Sequence, residues 1–141
     1  MRPATQHNNE DVVRTCLPEA SRGNYDVFET ILTPSYIVHP EEARGAAGLQ
    51  EMVDGYRAAL GDLRVDIEQQ FSAGDRVATV STVRGIHAGE LMGTAPTGRE
   101  VAFVMITISR FEDGRIAEEW EIADTVSLLA QIGALPQPTH S

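Results

Sequence analysis

The sequence is poor in several features that would each announce a particular kind of protein. It has one cysteine, Cys16, in 141 residues, so no internal disulfide can form and no CxxC metal knuckle exists. A chain of this length forms one domain, 1–141, and buries about two-thirds of its unfolded surface, so it needs neither staple. No apolar run approaches the ~18 residues of a membrane span, which excludes insertion. The start, "MRPATQHNNEDVV", has one early arginine and no apolar core of leader length, which points to a cytoplasmic protein. Basic residues are scarce, 11 Lys and Arg against 21 Asp and Glu, for a formal net charge of −10. Nucleic-acid binding draws on Lys and Arg to release counterions, so DNA and RNA are excluded as partners. The acidic balance otherwise describes a solvated, self-repelling surface. "GAAG" and "GTAPTG" are neither a dinucleotide fingerprint nor a phosphate loop, and no Ser, Cys or His sits in a nucleophile elbow.

What is present is a clear periodicity. From Asn8 to about Arg22 the positions Val12, Val13, Cys16, Leu17 and Ala20 have helical spacing, with Asn8 or Asn9 as cap and Gly23 as stop; Pro18 predicts a kink or break. Residues 1–7 and 136–141 lack periodicity and are expected to fray. A short helix from Asn24 buries Tyr25, Phe28, Ile31 and Leu32, and "SYIVHP" is a brief strand. "GLQEMVDGYRAAL" carries an apolar stripe of Leu49, Met52, Val53, Tyr56 and Leu60. Four long strands follow. "LRVDIEQQFSA" places Leu63, Val65, Ile67 and Phe71 on one face and turns at "GD" into "RVATVSTVRGIHAGEL"; "REVAFVMITISRF" turns at "EDG" into "RIAEEWEIAD". A helix with Val126, Leu128, Leu129 and Ile132 ends the pattern. Helices in one block and strands in another predict an α+β fold, helices packed on one face of a curved sheet that encloses a pocket open at one end.

The polar groups that such a pocket would gather are Asp124, His39, His87 and Trp120, with Tyr36 and Arg84 behind them. Read with period two, the last strand puts Ile116, Glu118, Trp120, Ile122 and Asp124 on one face. Asp124 then has two readings. It stands where an N-cap belongs, yet a carboxylate facing an apolar cavity would have a raised pKa and act as a general base near neutral pH. His39, before Pro40, suits a hydrogen-bonded structural role. His87 lies in "RGIHAGEL", where flanking glycines permit a close approach by backbone or ligand. A metal site of His39, His87 and Asp124 is conceivable by residue type, but no ligand spacing supports one, and none is expected.

"RGIHAGELMGTAPTGREV" followed by "FEDGRIAEEWEIADTVSLLAQIGA", together with "TPSYIVHP" and the helix after it, resembles the SnoaL-like polyketide cyclases of the NTF2-like superfamily, over roughly residues 8–134. The resemblance implies a cone-shaped barrel, a curved antiparallel or mixed sheet wrapped around N-terminal helices, oligomeric as a homodimer or homotetramer, working without metal or organic cofactor. It implies that Asp124 is the acid/base of an intramolecular aldol ring closure on a polyketide-like ester or ketone, with His87 and His39 as donors to the enolate. Trp120, Tyr36 and Met105 would form the wall against a small apolar or aromatic ligand, in a cavity sized for several fused rings. Relatives in the same branch open epoxides, for which Glu118 would be the second carboxylate, or hydroxylate polyketides, and the fold also hosts non-catalytic binding modules.

Overall fold

A computed structural model of the chain describes residues 4–135, with side chains from residue 8 onward. The first helix, α1, spans Ala4–Ser21 and a single turn, α2, spans Phe28–Ile31. Strand β1 (Leu32–His39) and the two-residue β2 (Ala43–Arg44) precede α3 (Gly45–Ala59). The long strands are β3 (Leu60–Ala73), β4 (Arg76–His87), β5 (Glu100–Glu112) and β6 (Arg115–Ala123), followed by α4 (Thr125–Gln131). One six-stranded sheet has the order β2-β1-β6-β5-β4-β3. Its pairs are antiparallel except β1 with β6, which run parallel. The fold is the α+β arrangement expected, N-terminal helices with a curved, mixed sheet of six strands, and the sheet does not close, which leaves β2 and β3 at its edges.

The helix α1 begins before the expected cap, at Ala4, so Asn8 and Asn9 lie within it. Residues 1–3 and 136–141 lie outside the described part. Pro18 does not break α1 because it falls in the last turn, where only the carbonyl four residues earlier loses a donor. Gly23, at φ +83°, then closes the helix by donating to the Ala20 carbonyl, while Asn24 donates to that of Glu19.

Burial divides the interior into two apolar clusters. One gathers Val13, Cys16, Phe28, Tyr36, Phe111 and Ile116 between α1, α2, β1 and the far end of the sheet. The other gathers Leu60, Val101, Phe103, Leu128 and Ile132, where α4 plugs the opposite end. Gln131 fixes α4 to the sheet: its amide donates to the Ala102 carbonyl (2.8 Å) and accepts from the Ala102 N–H (2.9 Å), filling the place that a longer β6 would take. Val65 and Met105 touch both clusters, and the space between the clusters is where the site lies.

Two β-bulges decide which side chains face that space. In β3 the register shifts between Ile67 and Gln69. Ile67 and the residues before it keep the expected face, whereas Phe71 turns outward and is 61% exposed. In β6, Arg110 pairs Glu118 and Phe111 pairs Ile116, so Ala117 is the extra residue. Past it, the inward positions are Glu119, Glu121 and Ala123, and the face predicted to carry Glu118, Trp120, Ile122 and Asp124 inward is reversed.

Candidate active site

The bulge in β6 brings two carboxylates into the protein, and their environments differ. Glu119 is buried and accepts two short hydrogen bonds, from Tyr36 Oη to Oε1 (2.6 Å) and from Ser109 Oγ to Oε2 (2.6 Å). Burial raises its pKa, while the two hydroxyl donors oppose the rise. Tyr36 is itself fully buried, and burial beside the Glu119 charge keeps its phenol protonated. Glu119 is therefore a satisfied, structural carboxylate.

Glu121, two residues on, accepts no hydrogen bond from another described residue. Burial, then the nearby charges of Glu119 and Glu41, push its pKa up from 4.5 to about 8. Across the sheet its register partner is Thr107, whose buried hydroxyl has no partner among the described residues either. Cys16 lies close enough to feel both glutamates, and burial together with their charges holds its thiol neutral, which removes it as a nucleophile.

Glu121 faces a largely apolar cavity between the two clusters. Its walls are Leu17 and Ala20 of α1, Met52 and Val53 of α3, and Val65, Phe103 and Met105 of the sheet. The polar side chains on it are Glu121, Tyr56 and Ser21. Ser21 is engaged with the Pro18 carbonyl (2.8 Å), whereas the Tyr56 hydroxyl makes no hydrogen bond to another described residue. Burial, then the charges of Glu121 and Glu41, raise the pKa of Tyr56, so it stays a proton donor. The cavity holds about 530 Å³ of empty space counting its mouth, but the centre of a water molecule can occupy only about 70 Å³ of it. The enclosed part is thus smaller than the several fused rings expected.

The residues singled out from sequence do not converge. Asp124 is exposed at the N-terminus of α4, where its carboxylate accepts the Ser127 N–H (3.0 Å), as a cap does. His39 lies on the outer face of the sheet, its Nε2 at 2.7 Å from Glu118 and its ring stacked on Trp120. Trp120 faces outward too, with the Arg76 guanidinium 5.2 Å from its ring centre. His87 is fully buried in the second region of the core, where Nδ1 accepts the Thr97 N–H (3.2 Å). Its flanking glycines serve close packing of backbone: a Cβ on Gly89 would sit 2.1 Å from the Ala58 carbonyl oxygen. Tyr36 is committed to Glu119, and Met105 lines the cavity. Glu118 is held below the usual carboxylate range by hydrogen bonds from His39 and Arg110 on the outer face. No group of three His, Cys, Asp or Glu among the described residues is placed to bind a metal, and His39, His87 and Asp124 are separated. No described helix is long and apolar enough to cross a membrane.

A curved, unclosed sheet with helices packed on it and one unpaired acid on the wall of an apolar cavity is an arrangement consistent with a small-molecule ligand. The chain belongs to the SnoaL-like polyketide cyclase family, whose model matches residues 10–132. Among solved structures it is 29% identical to IdmH of Streptomyces antibioticus, a candidate polyketide cyclase, covering 89% of this chain and 98% of that one with a TM-score of 0.77. It is 26% identical to AclR of Streptomyces galilaeus, a candidate hydroxylase, covering 94% and 89% with a TM-score of 0.82. A SnoaL-like protein from Jannaschia sp. CCS1, 22% identical with a TM-score of 0.85 over 96% and 99% of the two chains, shares the fold. Among curated proteins no significant match is found. Family and fold support a cyclase-type or related function.

Proposed function

We propose that the protein is an acid/base enzyme that closes or isomerises a ring on a mostly apolar carbonyl compound of polyketide type, with Glu121, rather than Asp124, as the proton-transferring group. The observation that carries this reading is the unpaired Glu121 carboxyl on the wall of an apolar cavity. With a pKa of about 8, about a tenth of it is ionised at neutral pH, so both the base and its conjugate acid are available. In an aldol closure the ionised carboxylate takes the proton from a carbon between two carbonyls. The enolate carbon then bonds to a ketone carbon of the same molecule, and the new alkoxide takes the proton back from Glu121. Tyr56 is the donor placed to hold the enolate oxygen. No step needs a redox partner, and the apolar walls strengthen both interactions by excluding water.

The test is ring closure of an anthraquinone-type polyketide methyl ester by wild type, Glu121→Gln and Asp124→Asn. Loss of turnover in Glu121→Gln with Asp124→Asn active supports the assignment; the reverse pattern returns the role to Asp124. AclR supplies a competing chemistry, because a hydroxylase consumes dioxygen and ring closure does not. Turnover that stops without oxygen and a reductant would therefore refute the cyclase reading.

We also propose that a second copy of the chain covers the outer face of the sheet. Val104, Ile106, Ile108 and Ile122 are exposed there, Ile122 by 71%. Register joins them into one ridge with Trp120, since Ile106 pairs Ile122 and Ile108 pairs Trp120. Such a ridge can lie across its own copy in a two-fold contact. Light scattering on Ile106→Glu should report a monomer where wild type is dimeric; a monomeric wild type at high protein concentration would end the proposal.

A further inference from the structure

A second, more polar groove adjoins the Glu121 cavity, and the two share Ser21 and Leu63. The remaining walls of this groove are Arg22, Arg57, Leu60, Asp62 and Arg64. The protein has no lysine, and all 11 of its basic residues are arginines. That three of them meet in one groove of a chain with net charge −10 sets the place apart from the rest of the surface.

The local chemistry shows which of the three are free to bind. Arg22 is paired with Glu19 at 2.9 Å. Arg57 and Arg64 make no ion pair with a carboxylate among the described residues, and Asp62 makes none with them. Arg57 is nevertheless held in place. Its guanidinium lies against the turn after α1, where a Cβ on Gly23 would sit 2.5 Å from Cζ, and it reaches the Tyr25 hydroxyl. Gly23 is favoured there by its φ of +83°, and a Cβ in its place would displace the end of the Arg57 side chain. Arg64 stands on the solvent side of β3 at the start of the strand that also supplies Leu63 and Val65 to the cavity.

The site therefore has two ends of opposite character. Glu121, with Glu119 and Glu41 acting on it, makes the floor hostile to an anion. The guanidiniums of the adjoining groove favour one, as planar donor forks suited to carboxylate or phosphate oxygens. We infer that the ligand is amphiphilic, an apolar carbonyl-bearing body that enters the cavity and an oxyanion head that stays in the Arg22–Arg57–Arg64 groove. This inference rests on the reading of the Glu121 cavity as the reaction site. It adds a determinant of orientation, since the head at the arginines fixes which end of the ligand meets Glu121.

Calorimetry with three naphthalene probes tests it: naphthylpropanoate, naphthylethyl phosphate and the neutral naphthylpropanamide. One or both anions should bind about tenfold more tightly than the amide at low salt, and the advantage should shrink as salt screens it. Which anion is preferred separates a carboxylate head from a phosphate head. Arg64→Gln and Arg57→Gln, each checked for an unchanged thermal melt, should lower anion affinity and leave the amide unaffected. Arg64 is the safer of the two because Arg57 also packs against the Gly23 turn and reaches the Tyr25 hydroxyl. If the amide binds and the anions bind no better, or if both variants keep the full preference, the oxyanion groove is refuted while the cavity stands. If no probe binds, both the groove and the cavity reading fall.

Discussion

Replacing Glu121 by glutamine tests the site without reference to any substrate. In the folded chain the carboxyl holds its proton up to about pH 8, against 4.5 for an ordinary glutamate such as the unfolded chain presents. Between those two values the unfolded state binds fewer protons than the folded one, so the sign is negative: stability falls as pH rises through this window and levels off above it. At ~1.4 kcal/mol per pH unit the full penalty has a ceiling of about 5 kcal/mol. Water entering through the mouth relieves part of it, so about 2–4 kcal/mol is expected near pH 9 and about 1 or less near pH 5.5. Glutamine keeps the shape and never ionises, so it escapes this penalty. Urea unfolding of both proteins at several pH values, at one protein concentration, should show Glu121→Gln gaining on wild type as pH rises while ring closure drops by about 10² or more. Parallel stability curves would mean that Glu121 titrates like a surface glutamate. The acid/base assignment would then lose its physical basis even if the variant were inactive.

Three further substitutions probe the frame around the site. Asp124→Ala removes the cap of α4 and should cost about 1 kcal/mol, with catalysis within about threefold of wild type; a collapse of turnover at unchanged stability would contradict the capping role. Tyr36→Phe leaves the buried Glu119 with the Ser109 hydroxyl as its remaining donor and should cost about 1–3 kcal/mol, measured by urea midpoint; no change would mean that Glu119 is neutral and indifferent to its partner. Gly89→Ala forces a methyl onto the Ala58 carbonyl oxygen, 2.1 Å away, and should lower stability by about 3 kcal/mol or more in a thermal melt, since backbone stands on the other side of the contact. A melt equal to wild type would mean that the segment after His87 moves aside freely.

Element order was legible in the sequence because it rests on local patterns. The stripe Leu49, Met52, Val53, Tyr56 marks α3, of which the last three line the cavity, while Leu60 opens β3; the turns at Gly74–Asp75 and Asp113–Gly114 delimit the long strands. Strand parity was legible only as far as the first bulge. Alternation assigns faces by counting, and one extra residue inverts every later assignment. In β3 this turned Phe71 outward. In β6 the count was also misled by composition, because Trp120 and Ile122 are the apolar positions and Glu119 and Glu121 the polar ones. That inference holds when the outer face meets water. Here the outer face carries its own apolar ridge, so hydrophobicity does not say which side is inside. The two-residue β2 and the parallel pairing of β1 with β6 left no local signal, since both depend on contacts between distant segments.

The bulge at Ala117 is thus a determinant of chemistry as well as of geometry. Without it, the inward row of β6 would continue from Ile116 through Glu118, Trp120 and Ile122, and Glu119 and Glu121 would stand on the outer face. With it, two glutamates of identical intrinsic acidity enter the interior one step apart and meet different partners. Glu119 finds two hydroxyls and is spent on holding β1, β5 and β6 together. Glu121 finds an apolar cavity and the charge of its neighbour, across from a buried threonine hydroxyl that bonds to no described residue. Environments that drive two like groups apart in this way are how one fold assigns a structural carboxylate and a reactive one. The satisfied glutamate also sharpens the unsatisfied one, because its charge is the second-largest cause of the raised pKa of Glu121. It follows that Glu119→Gln should pull the Glu121 titration down toward its ordinary value. A pH–rate profile of that variant with its inflection unmoved would show that burial alone sets the acid.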